Sequence, residues 1–360
     1  MKTLVLLFFF LLSYLPPSYS QKYNAIYSFG DSVSDTGNLC VNGKPSSLTL
    51  AQPPYGMTFF GKVTCRCSDG RLVVDFLAEY FGLPLLSPSK ASGSDFKKGA
   101  NMAIIGATAQ TSDFFNSIGV GSKIWNNGPL DTQIQWFQQL QSSICGSNCK
   151  AYFKNSLFVV GEIGGNDYNA NLFGGRTPEQ TSTYVPQIVQ AVSNGIEKLI
   201  GLGAVDIVVP TVLPIGCFPL YLSLYQSSNA GDYDSLGCLK SFNNLASNHN
   251  SRLRSVVNSL QSKYPGTRIM YADFYSQVIS MVRSPGSYGF VSSMQACCGA
   301  GGGKYNYDNT KRCGMAGASA CSNPSKYLSW DGIHLTEAAY RQITNGWLKG
   351  PYASPPILHN

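Results

Sequence analysis

Short apolar runs alternating with longer amphipathic ones predict an α/β fold, a parallel sheet with helices on both faces. Two further observations support it. Runs such as "LFVV" and "IVV" are apolar without a break, which fits strands buried on both sides. Polar, Gly-rich segments follow several of these runs, at the carboxyl ends where a doubly wound sheet opens its ligand crevice.

In chain order, "AIYSF" (25–29) is the first strand and Gly30 ends it. "SDGRLVVDFLAEYFG" follows as a helix, capped by Ser68 or Asp69 and stopped at Gly82. "ANMAIIGAT" (100–108) is the second strand, and "DTQIQWFQQLQSSI" is a helix after it. "SLFVVGEIGGNDY" opens with a strand at 157–161, after which "GGND" reads by itself as a tight turn. The helix "VPQIVQAVSNGIEKLIGLG" ends in Gly and leads to a strand at 205–209. A long helix stops at Pro265, a strand covers 268–273, and "TEAAYRQITNGWL" is the last helix. Residues 284–327 break this rhythm and read as one long loop stapled by cysteines, and the tail "PYASPPILHN" reads as loose. The alternation runs from residue 21 onward, so a single domain over 21–360 is expected.

Residues 1–20 form a different object. Lys2 precedes the apolar "TLVLLFFFLLSYL", and "PPSYS" places Ser18 and Ser20 at the −3 and −1 positions of a secretory cleavage site before Gln21. The apolar run is short for a membrane anchor and ends in Pro16-Pro17. The mature chain is therefore expected to be exported, to the cell exterior or wall, with the vacuole as the alternative destination. Its composition, 44% hydrophobic and 12% charged, excludes a disordered chain. Eleven cysteines in an exported protein read as disulfides, and the odd number leaves one unpaired or shared with another chain. Cys145 and Cys149 frame a short loop, Cys217 and Cys238 a longer one, and Cys297, Cys298, Cys313 and Cys321 crowd into one stretch. Zinc is the rival reading, but the Cys65/Cys67 and Cys297/Cys298 spacings suit it poorly and no His is near. A net charge of +7 fits weak attraction to polyanionic surroundings, or simply a solvated surface with a mild excess of Lys. No Lys/Arg cluster points to nucleic acid, no later run is long enough to span a membrane, and no N-x-Ser/Thr sequon occurs.

The chemistry turns on "FGDSVSDTGN". Taken alone, Ser32 is better read as a helix cap than as a nucleophile. The three histidines change that balance. His359 lies in the tail, and His249 sits in the polar stretch "SNHNSR" and reads as solvated. His334 stands in "SWDGIHLTEAAY", three positions after Asp331. At that spacing Asp331 can accept from Nδ1 of His334 and leave Nε2 free as a base for Ser32. Acyl transfer also needs oxyanion donors, and the main-chain N–H groups of Ser32 and Gly106, with the Asn166 amide, suit the task. "GMTFFGKV" resembles a phosphate loop but has Val63 where a Ser or Thr would hold magnesium, and "GAGGGK" lacks a strand–turn–helix setting. No G-x-S-x-G elbow occurs.

The blocks "FGDSVSDTGN", "KGANMAIIGATA", "GEIGGNDY" and "SWDGIHLTEAAY", in that order, resemble the plant GDSL esterase/lipase family within the SGNH hydrolase group. The resemblance implies a flavodoxin-like three-layer α/β/α sandwich and a secreted carboxylic ester hydrolase that needs no cofactor and no metal. It assigns the nucleophile to Ser32, the base to His334 and the carboxylate to Asp331, with Ser32, Gly106 and Asn166 as the oxyanion hole. Substrates would be small-molecule or polysaccharide esters. Two alternatives are an acyltransferase using the same triad and a catalytically silent binding or defence protein that keeps the fold. Val33 departs from the family's name, which has Leu there, and an altered packing of an inward-facing apolar side chain is expected.

Overall fold

The computed structural model describes residues 23–41, 48–125 and 127–358. The leader lies outside them, as does His359. Five parallel strands build the central sheet: β1 (Ala25–Phe29), β2 (Gly99–Asn101), β3 (Ser156–Val160), β4 (Asp206–Pro210) and β5 (Arg268–Ala272). They stand in the order β2-β1-β3-β4-β5, and Ala353–Ser354 pairs antiparallel to β5 at the outer edge. This is the flavodoxin-like order, in which the crevice opens where the chain reverses direction, between β1 and β3. Every residue of β1 and β3 is buried, because helices cover both faces.

One helical layer contains Leu130–Cys145, Val185–Leu202 and Lys240–Lys263, and the other Val73–Tyr80, Phe274–Arg283 and Glu337–Lys349. The result is a three-layer α/β/α sandwich. Among the described residues no helix is long and apolar enough to cross a membrane.

Three local expectations are corrected. The second strand is only Gly99–Asn101: Met102 and Ile104 still donate to the carbonyls of Ser28 and Gly30, but the chain then turns away at Ile105–Gly106, where Gly106 has φ +80°. Ser68 and Asp69 do not cap the helix after them, which starts at Val73 with Leu72 N–H bonded to Asp75 Oδ2 at 2.9 Å. Asp69 Oδ1 accepts the Glu337 N–H at 2.8 Å, and the Ser68 hydroxyl donates to the Leu335 carbonyl, so this loop anchors the start of the last helix instead. The tail is packed, not loose. Ala353–Ser354 joins the sheet, and Ile357 is fully buried with its N–H bonded to the Trp347 carbonyl.

Five disulfides join Cys40 to Cys65, Cys145 to Cys149, Cys217 to Cys238, Cys297 to Cys321 and Cys298 to Cys313. Cys67 is the free, buried thiol among the described residues. The last two bridges tie down the segment before Asp331, which is not one continuous loop but carries short paired strands at Ser292–Ala296, Cys298–Gly299, Ser319–Ala320 and Tyr327–Ser329.

Candidate active site

Four loops meet at the carboxyl ends of β1, β2 and β3. The first leaves β1 through Gly30, whose φ of +130° an L side chain rarely adopts, and whose Cβ would approach Gly161 Cα to 3.1 Å. Asp31 then closes a turn. Its carbonyl accepts from the N–H groups of Ser34 and Asp35, and its Oδ1 from that of Val33 at 2.9 Å. Ser32 projects from this turn into a cavity, and Val33, 6% exposed, faces the core as expected.

Asp35 ties the first loop to the second. Its Oδ1 accepts from Gly37 and Asn38, and its Oδ2 from Ile105 N–H at 2.9 Å, next to Gly106. Burial pushes its carboxyl up to about 6 against the pull of these donors. Gly106 has φ +80° and lies under Trp125, whose Cβ would be 3.0 Å from a Cβ placed there. The N–H groups of Ser32 and Gly106 have no hydrogen-bond partner among the described residues. Both residues line the same cavity.

The third loop runs into the helix Gly165–Phe173, so "GGND" is its approach and first turn, not a free tight turn. Asp167 accepts the N–H groups of Ala109 and Gln110 at 2.8 and 3.0 Å, joining this helix to the second loop, and burial raises its carboxyl to about 7. Asn166 lines the cavity, but its amide already donates to Asp31 Oδ2 at 2.9 Å and to the Ala107 carbonyl at 3.0 Å. To serve as an oxyanion donor it must give up one of these bonds. Beneath it, Asp31 and Glu162 form a buried carboxyl pair. Burial raises both, and the neighbouring Asp31 charge lifts the Glu162 carboxyl well above the ordinary range.

The fourth loop carries Asp331 and His334. Asp331 Oδ1 accepts the N–H groups of Ile333 and His334 at 2.9 and 2.7 Å, which folds the loop so that both side chains face inward. The His334 Nδ1–H donates to Asp331 Oδ2 at 2.7 Å, and Nε2 lies 2.9 Å from Ser32 Oγ, 302 residues away in sequence. All three are buried, with Ser32, at 9% exposure, the most open. Burial would raise the Asp331 carboxyl, but the His334 charge and the hydrogen bonds around it draw it down to about 2. Burial likewise works against imidazolium at His334, yet the Asp331 carboxylate, with Cys67 beside the ring, keeps its pKa well above the ordinary imidazole value.

The structure thus brings together Ser32, Gly106, Asn166, Asp331 and His334, all of which border one cavity of about 890 Å³. Three participants were not expected. Tyr55 donates to Asp331 Oδ2 at 2.7 Å, and Cys67 lies against His334. Glu162 supports Asp31 from below. The aromatic "PPYGMTFF" was the signal that contained Tyr55, but nothing in it pointed to a partner 276 residues away. His249 is corrected. It is fully buried, its Nδ1 is 2.6 Å from the Tyr168 hydroxyl, and burial lowers its pKa to about 3. Its polar helical neighbours hid a face that packs on the sheet layer.

Such a constellation can deliver a hydroxyl nucleophile, a base and fixed N–H donors to one carbonyl. Comparison with known proteins agrees in kind. Residues 26–347 match the model of the GDSL-like lipase/acylhydrolase family. A GDSL esterase/lipase of Arabidopsis thaliana is 44% identical, with the alignment covering 95% of this chain and 94% of that protein. Another from Arabidopsis thaliana is 42% identical over 98% of this chain and 93% of its own length. The sinapine esterase of Brassica napus is 41% identical over 93% of this chain and 87% of that enzyme. With a family match over nearly the whole chain and relatives this similar, the protein belongs to the GDSL-like lipase/acylhydrolase family.

Proposed function

We propose that this protein is a secreted serine ester hydrolase and that residues 21–360 act as one catalytic domain. The observation that carries the reading is the relay from Asp331 Oδ2 through His334 to Ser32 Oγ, at 2.7 and 2.9 Å. In the reaction, Ser32 Oγ attacks the ester carbonyl while Nε2 of His334 takes its proton. Asp331 holds the tautomer that makes this transfer possible and stabilises the imidazolium that results. The N–H groups of Ser32 and Gly106 donate to the oxyanion, joined by Asn166 once its amide turns from Asp31 or Ala107. The imidazolium then protonates the leaving alcohol. In the second half His334 activates water, which releases the acid and restores Ser32.

Export is supported by the five disulfides, which belong to an oxidising compartment, and by the leader-like residues 1–20. The test is release of 4-nitrophenol from 4-nitrophenyl acetate by the purified mature protein and by Ser32→Ala. Acetate should form at the rate of nitrophenol, and the variant should be at background. Adding glycerol distinguishes an acyltransferase, which would yield acetylglycerol in place of acetate. Turnover equal in parent and variant would contradict the reading.

A further inference from the structure

The charges around the cavity have a pattern that ester hydrolysis alone does not require. Among the described residues that line it, Asp331 is the only carboxylate, and His334 is bonded to it. The other ionic side chains there are Lys123, at the end of the short 3-10 helix Gly121–Lys123, and Arg312, in the disulfide-tied segment before Asp331. Both are exposed, and neither forms an ion pair or donates a side-chain hydrogen bond among the described residues. Arg312 stands close enough to influence the hydroxyls of Tyr55, which touches Asp331, and of Tyr307 on the cavity wall. A cleft lined by unpaired charge of one sign focuses its field on what enters. A volume of about 890 Å³ also admits far more than an acetyl group.

We propose that the ester accepted here carries a carboxylate away from the scissile bond, which Arg312 binds while Lys123 supplies a second positive point. This rests on the serine ester hydrolase reading and narrows its substrate class to acidic esters. A guanidinium presents a planar fork that matches a carboxylate, so Arg312 supplies orientation as well as attraction. The carboxylate belongs either to a small acid or to a polyuronate chain, and the two share the same chemistry at this wall.

The test compares 4-acetoxybenzoate with its methyl ester, which transfer the same acetyl group and differ in whether the distant carboxylate is charged. The readout is the ratio of kcat/KM for the acid over that for the methyl ester. In Arg312→Gln/Lys123→Gln this ratio should fall about five- to tenfold, and Arg312→Lys should lose only part of it. Raising salt should compress the ratio in the parent and leave it flat in the double variant. Preference for acetylated polygalacturonate over acetylated xylan would assign the carboxylate to a polymer, and discrimination confined to the small esters would assign it to a free acid. A ratio that is the same in parent and double variant overturns the proposal. Failure of the hydrolase reading looks different, since neither ester would then be cleaved faster by the parent than by Ser32→Ala.

Discussion

Replacing Asp331 with Asn tests the relay without changing its shape. Asp331 accepts four hydrogen bonds, two at Oδ1 from the backbone N–H groups of Ile333 and His334 and two at Oδ2 from His334 Nδ1 and Tyr55 Oη. An asparagine can satisfy the backbone pair with its oxygen. Its NH2 group then faces two donors, and the imidazole must respond by moving its proton from Nδ1 to Nε2. Nε2–H then points at Ser32 Oγ and cannot accept its proton. The variant also loses the negative charge that holds the pKa of His334 up. Together these should cost about 10³- to 10⁴-fold in kcat, or about 4–5.5 kcal/mol, with KM little changed. The assay is steady-state hydrolysis of 4-nitrophenyl acetate, with near-ultraviolet circular dichroism to show that the fold is kept. An Asp331→Asn protein that retains more than about a tenth of the parental kcat would refute the tautomer argument.

The remaining predictions rest on the same geometry. Asn166→Ala removes the amide proposed as an oxyanion donor and should lower kcat by about 10²- to 10³-fold with little change in KM, read by the same assay. His334 must be neutral to act as a base, and its pKa lies above the ordinary imidazole value, so the acid limb of kcat/KM should fall above about pH 6.5. A pH–rate profile with that limb near pH 5 would count against the pairing. Burial and the Asp31 charge raise the Glu162 carboxyl well above its ordinary value in the fold, so the protein should lose stability as pH rises from that ordinary value toward the folded pKa. Glu162→Gln removes this loss, and its Tm relative to the parent should rise between pH 5 and pH 9. A Tm difference that is flat with pH would show that Glu162 is ionised in the fold.

The sandwich was legible because its strands are short and, apart from the first residues of β4 and β5, buried, so β1, β3, β4 and β5 fall within a residue or so of the apolar runs that announce them. The second strand was not. "ANMAIIGAT" is apolar for most of its length, but after Asn101 its backbone turns into the loop that carries Gly106. Apolar content alone does not tell a strand from a buried loop. Ser68 and Asp69 misled for a related reason. A capping residue is recognised by the helical pattern just after it in the chain, whereas Asp69 accepts the first N–H of a helix 268 residues away, whose N-cap is Thr336.

At the site, Ser32, Asp331 and His334 could be picked out because histidine is scarce here and because each sits in a short polar segment beside an apolar run. Their supports could not. Tyr55, Glu162 and Cys67 act through contacts that only the fold creates: Tyr55 looks like ordinary core, Glu162 like a surface carboxylate and Cys67 like half of a disulfide. Arg312 was hidden within the stapled loop, where a cation looks like any other surface charge.

That Ser32 is an activated nucleophile is the central claim, and intact-mass detection of a fluorophosphonate adduct addresses it without assuming a substrate. The mature, disulfide-intact protein should gain one adduct, and Ser32→Ala should gain none. A folded parent that stays unlabelled, or a variant labelled as fast as the parent, would contradict it.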